Sequence, residues 1–183
     1  MQKVKAVWVE NKSIKMKKNN LIFGILTFVA LIAIISSCKN DSTPALTPEQ
    51  KVESALNAFV ANLVLNPPTT ADISDRVKNY MQTNSTTFYG STVTLLDSVR
   101  LATTSPYWYR SGDSLLATDL AADTAYHINS QLWLRQPIDG GVGIWTDPYF
   151  DAGGGNIWMK TRSVPVIVNG EIIAVATTDL PTP

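Results

Sequence analysis

Apolar residues recur at spacings of three and four from Val52 through Leu56, Phe59, Val60 and Leu63 to Val64, a single stripe on a helical period. The residues ahead of the stripe supply its start. Thr47 is placed as the N-cap, Pro48 suits the first helical position, and Gln50 stands three residues after the cap to close a capping box. Asn66-Pro67-Pro68 ends the helix, since proline lacks a backbone donor and pushes the residue before it out of helical geometry. A second, shorter helix is predicted over 71–82, with Ile73, Val77, Tyr80 and Met81 inward and Asp72 near its positive end.

From residue 88 the period shortens to that of strands. Segments 89–96, 107–110, 142–145 and 157–160 are short β-branched or aromatic runs between turn signals. The clearest hairpin is the last, 164–168 and 171–178 about Asn169-Gly170, a pair that tolerates positive φ at both positions of a type I′ turn. Along Tyr107-Trp108-Tyr109-Arg110 the alternation predicts one pair inward and the other facing solvent, with Arg110 a surface residue. Helices first and a meander of strands after predicts an α+β domain built on one antiparallel sheet.

The N-terminal pattern differs. Residues 21–35, LIFGILTFVALIAII, form a run of fifteen without a charge, short for a bilayer span at about 1.5 Å per residue. Lys15, Lys17 and Lys18 precede it, and Ser36-Ser37-Cys38 follows with the chain's only cysteine. A basic stretch, a short apolar core and a small-residue cleavage site describe a signal peptide. The ending Ile35-Ser36-Ser37-Cys38 resembles the lipobox of bacterial lipoproteins, which implies that the Cys38 thiol is acylated, palmitate among the acyl groups, and becomes the new N-terminus. Acyl chains at about 0.8 kcal/mol per buried methylene would hold the protein on a membrane. The expected organisation is therefore 1–37 signal peptide (with Met16 a more natural start than Met1), 38–46 lipidated cysteine and tether, and 47–183 one domain. Lys39 stands where an aspartate would favour inner-membrane retention, so the expected location is the outer membrane, facing periplasm or exterior.

Charge changes the picture once the leader is set aside. The chain is formally neutral, but residues 38–183 hold nine basic and fourteen acidic residues, about −5. An acidic domain without a basic stripe is a poor partner for nucleic acid. Catalysis finds little support. His127 is the only histidine, which excludes a multi-histidine zinc site, and there is no Gly-x-Ser-x-Gly elbow. Gly153-Gly154-Gly155 lacks the Lys-Ser/Thr of a phosphate loop and reads as a flexible turn. Asp147 and Asp151 read as loop-stabilising carboxylates rather than metal ligands. No cofactor is expected, and the protein is not expected to be an enzyme.

Trp133-Leu134-Arg135-Gln136-Pro137-Ile138, then Trp145-Thr146-Asp147-Pro148-Tyr149-Phe150-Asp151, Gly153-Gly154-Gly155-Asn156-Ile157, Ser163-Val164-Pro165 and Val175-Ala176-Thr177-Thr178-Asp179-Leu180 together resemble, in order and spacing, the Cache family of extracytoplasmic sensors over roughly 48–180. The resemblance implies a PAS-like fold, a long N-terminal helix packed on an antiparallel sheet, with a small ligand held between the sheet and the loops over its face. It also implies ligand-binding positions at Tyr126, Gln131, Trp133, Tyr149 and Asp179, the last pairing with a ligand ammonium. Gln131 stands where the amino-acid-binding branch has an arginine, and Leu134 where it has a tyrosine. A neutral amide offers no bidentate, charge-assisted grip on a carboxylate, which makes free α-amino acids poor candidates and leaves amines, neutral polar molecules or a carboxylate clamp from another residue. The plain alternatives are a strand-end carboxylate at Asp179, a loop anchor at Tyr149 and a core tryptophan at Trp133. The expected function is a lipid-anchored, small-molecule-binding sensor acting through a separate membrane signalling partner. The alternatives are a structural or protein-interaction lipoprotein that keeps the fold without the ligand, and a truncated sensor.

Overall fold

The computed structural model describes residues 44–183; the expected signal peptide, the Cys38 lipidation site and most of the tether lie outside them. The first helix, α1 (Pro48–Leu65), starts as its sequence dictates. Gln50 N donates to Thr47 Oγ1 at 3.2 Å and Thr47 N donates to Gln50 Oε1 at 2.9 Å, a reciprocal capping box. Helix α2 (Ile73–Thr83) buries the four residues its period predicted, Ile73, Val77, Tyr80 and Met81. Asp72 stands at its N-terminus, but the carboxylate turns back to accept from the Thr69 amide and hydroxyl.

Eight strands follow, all paired antiparallel: β1 (Gly90–Leu96), β2 (Ala102–Thr104), β3 (Pro106–Ser111), β4 (Ser114–Asp119), β5 (Ile144–Trp145), β6 (Tyr149–Phe150), β7 (Trp158–Val168) and β8 (Glu171–Pro181). The sheet runs β4-β3-β1-β8-β7-β5, with β2 on β1 and β6 on β7. The β7–β8 hairpin turns at Asn169 and Gly170, with φ of 52° and 86°, as the Asn-Gly pair predicted. A third helix, α3 (Leu132–Gly140), lies between β4 and β5 and is preceded by a 3₁₀ turn at Ile128–Ser130. The strand-only reading of the second half missed α3, and for a reason. Pro137 sits inside it and no side chain caps it, so its local signals argue against a helix. What holds it is burial of Trp133, Leu134, Pro137 and Ile138 on one side.

Alternation along the strands divides the interior in two. Ala174, Ala176 and Leu180 of β8, with Val93 and Leu95 of β1, pack under α1 and α2 against Leu56, Leu63 and Val77. Full burial of each large aliphatic side chain contributes about 1.5–3 kcal/mol. On the opposite face Val175 and Tyr107 pack with Tyr126, Trp133, Leu134 and Ile138. Both faces of the sheet are covered, which corrects the expectation for 107–110. Tyr107 and Tyr109 lie on the α3 side, their rings stacked at 5.5 Å between centroids. Trp108 donates its indole N–H to Ser74 Oγ on α2. Arg110 is half-buried and donates to the carbonyls of Phe88 and Met81, an internal tie rather than a surface charge. Among the described residues no helix is long and apolar enough to cross a membrane.

Candidate functional site

The α3 face of the sheet is floored by hydroxyls where the face under α1 and α2 is mostly aliphatic. Thr92, Thr161 and Thr177 are buried there, around Asp179. Asp179 is not at a strand end. It sits inside β8 with Thr161 of β7 opposite on one side and Gly90 of β1 on the other. Thr161 Oγ1 donates to its Oδ1 at 2.7 Å, and Tyr107 Oη donates to its Oδ2 at 2.9 Å. Tyr107 reaches the carboxylate by lying across Gly90, where a Cβ would overlap the tyrosine ring and hydroxyl. Glycine is required there by this close approach. With Thr161 donating to Asp179, Tyr149 donates in turn to Thr161 Oγ1 at 2.9 Å.

A second buried carboxylate faces the same space. Asp151 accepts from Tyr126 Oη at 2.9 Å on Oδ1 and from the Gly155 amide at 2.9 Å on Oδ2. Trp133 donates its indole N–H to Tyr126 Oη at 3.1 Å, which ties α3 to the glycine loop through Tyr126 and Asp151. The loop is therefore not the loose turn that three glycines suggested. A Cβ on Gly154 would strike the Asp151 carboxylate, and one on Gly155 would come within 2.6 Å of Met159 Cε and 2.7 Å of Tyr89 Cε1.

Burial controls the electrostatics. Asp179 is pushed up to about 7, chiefly by desolvation, with Asp151 adding to the rise and the Thr161 and Tyr107 hydrogen bonds opposing it. Asp151 is also raised by desolvation, against its hydrogen bonds from Tyr126 and Gly155. Tyr107, Tyr126 and Tyr149 are all raised, first by burial and then by the neighbouring carboxylates, so the phenols remain neutral donors.

Four of the five residues singled out from sequence, Tyr126, Trp133, Tyr149 and Asp179, meet around this chamber. Its free interior is about 10 Å³, room for a single water. Gln131 does not reach it. Gln131 lines an adjoining open cleft of about 300 Å³ with Leu132, Gln136, Thr146, Asp147 and Pro148. Trp133 and Tyr149 border both spaces. Tyr107, Asp151 and Thr161 were missed as site residues. The signal for Asp151 was its place in the Pro-Tyr-x-Asp loop; that for Tyr107 and Thr161 was strand parity alone. Among the described residues no group of three or more His, Cys, Asp or Glu side chains is placed to hold a metal ion.

The profile of the family described as methyl-accepting chemotaxis protein-like, first PDC sensor domain, matches residues 73–182. Among solved structures, the extracellular domain of soHK1S-Z6, assigned as a histidine kinase, is 27% identical, with a TM-score of 0.61 over 71% of this chain and 52% of that one. The ligand-binding domain of the Campylobacter jejuni chemoreceptor Tlp3, solved with L-valine, is 18% identical, with a TM-score of 0.53 over 70% of this chain and 50% of that one. The second likeness is one of fold. The chain spans about half the length of the solved domains it matches. No curated protein matches it.

Proposed function

The chain belongs to the family of methyl-accepting chemotaxis protein-like first PDC sensor domains, the Cache fold read from its motifs, and from that premise we propose that it binds a small amine-bearing molecule around Asp179. A sensor family accounts for the chain as a binding protein rather than a catalyst. The observation that carries the reading is the convergence of Tyr107, Tyr126, Trp133, Tyr149 and two buried carboxylates on one chamber, which shares two of its aromatic side chains with a larger cleft. A buried carboxylate with a raised pKa lacks a cation, and an ammonium ion supplies one. Trp133 and Tyr149 must move to admit it, because the chamber as it stands holds no more than a water.

The sequence and the relatives support a position outside the cytoplasm. The soHK1S-Z6 domain is extracellular and the Tlp3 domain belongs to a chemoreceptor. A signal peptide over 1–37 and acylation at Cys38 would place residues 47–183 outside the cytoplasm, tethered to the outer membrane and passing ligand occupancy to a separate membrane partner. One observation favours the alternative of a ligand-free interaction domain: every oxygen of Asp179 and Asp151 already accepts a hydrogen bond from within the protein.

A thermal-shift screen of the purified protein against amines, amino acids, carboxylates, nucleosides and sugars separates the two. Binding to the native state stabilises it by about 2.7 kcal/mol at a hundredfold excess over the dissociation constant. The expected result is a rise in melting temperature with amines that disappears in Asp179→Asn. That variant keeps the shape and one of the two acceptors that Tyr107 and Thr161 use, where Asp179→Ala would keep neither, so it removes the charge with less disturbance. No shift with any amine, or an undiminished shift in Asp179→Asn, refutes the assignment.

A further inference from the structure

The chamber and the cleft carry the same sign of charge. Asp179 and Asp151 border the chamber, Asp147 borders the cleft, and no Lys, Arg or His lines either space. Resting on the amine-binding reading above, we propose that the ligand is a short linear diamine, with one ammonium at Asp179 and the other received in the cleft by Asp147 and Gln131.

The cleft is built for the far end of such a molecule. Leu132, Trp133, Pro148 and Tyr149 give it apolar walls along which methylenes can lie, and its volume of about 300 Å³ is at the lower end of small-molecule sites. Besides the hydroxyls of Thr146 and Tyr149, its polar side chains are two carboxamides and a carboxylate, each able to present an acceptor. Gln131 is fixed in orientation, because its Nε2 donates to Tyr126 O at 2.8 Å, which leaves the Oε1 acceptor to be offered elsewhere. Gln136 adds a second carboxamide and Asp147 a carboxylate.

The same arrangement rejects an amino acid. With the amine at Asp179, a ligand carboxylate would lie in a space that holds Asp147 and no cation. Like charges in a partly desolvated cleft repel, and the ligand carboxylate would lose water without gaining a charged donor. The discrimination is thus made by what the cleft lacks as much as by what it presents. Trp133 and Tyr149, which border both spaces, mark where the two ends divide, the inner ammonium on the chamber side and the chain in the cleft.

Calorimetric titration of the purified protein with diaminobutane, butylamine and aminobutanoate, three ligands of one chain length, tests the proposal. Diaminobutane should bind about tenfold more tightly than butylamine, the size of one charge-assisted hydrogen bond at a partly exposed site, and aminobutanoate more weakly than either. Asp147→Asn should lower the affinity for diaminobutane to that for butylamine, with an unchanged melting temperature, since Asp147 is exposed. Equal affinity for diaminobutane and butylamine, or a preference for aminobutanoate, overturns the proposal while the amine-binding reading stands. A diamine preference that survives Asp147→Asn overturns the assignment to the cleft. If none of the three binds, the proposal falls, and the broader screen with Asp179→Asn decides the reading beneath it.

Discussion

Asp179 shows how one carboxylate can be costly to the fold and useful to the site. Its group is held near 7 in the folded chain, against about 3.9 in an unfolded one, so between those values the folded state binds the proton more strongly. Stability therefore falls as pH rises through this window and levels off above about 7, with a slope of at most about 1.4 kcal/mol per pH unit for one proton. Asp151 shifts in the same direction. The ligand-free protein should melt at a higher temperature at pH 5.5 than at pH 8, and Asp179→Asn should flatten that difference; calorimetry across the range checks it. Affinity for an amine should run the other way, weakening as pH drops below about 7, because a protonated carboxyl offers the ammonium no charge. A melting temperature that rises steadily with pH would contradict the burial assigned to Asp179.

The elements divide by where their support comes from. Helix α1 and the β7–β8 hairpin carry their own instructions, a capping box in one and an Asn-Gly turn in the other. Helix α3 and the loop from Asp151 to Asn156 do not, and are shaped by what they touch. Asp151 ties the loop by accepting from the Gly155 amide, and Tyr89 donates its hydroxyl to the Gly155 carbonyl at 2.8 Å. Gly155→Ala would press a methyl group against Tyr89 and Met159 at a point where the backbone is already held on both sides. Overpacking of this kind costs about 1–3 kcal/mol, and here it would displace the Asp151 carboxylate from the chamber as well. Chemical denaturation should show the loss of stability, and ligand titration a loss of affinity beyond it. An alanine variant as stable as the parent would mean that the loop is as free as its three glycines made it look.

At the scale of the whole molecule, the sheet separates two tasks. The face under α1 and α2 is apolar and supplies the larger core; the α3 face spends burial on carboxylates and hydroxyls that contribute little to stability and fit a binding site. The proposed anchor at Cys38 lies outside the described residues, among which no helix is long and apolar enough to cross a membrane. Cys38→Ser should abolish incorporation of labelled palmitate and release the protein from the membrane fraction, leaving ligand affinity unchanged. Retention of both label and membrane association in that variant would remove the lipidation assignment.

The sequence by itself determined the elements whose signals are local: α1 with its cap, α2 with its four inward residues, the closing hairpin, and the order of motifs that marks the family. It also brought out Tyr126, Trp133, Tyr149 and Asp179, because their spacing carries the family resemblance. Tertiary structure alone decided that Gln131 faces a different space from the other four, that Asp151 and Tyr107 join Asp179, and that Gly90 makes room for Tyr107. It also decided that the proline-bearing segment after Gln131 is a helix. The physical reason is the range of the forces concerned. Caps, turns and periodicity act between residues a few positions apart, whereas the desolvation that raises Asp179 and the contact that fixes Tyr107 join β1, β3, β7 and β8, which only the sheet brings together.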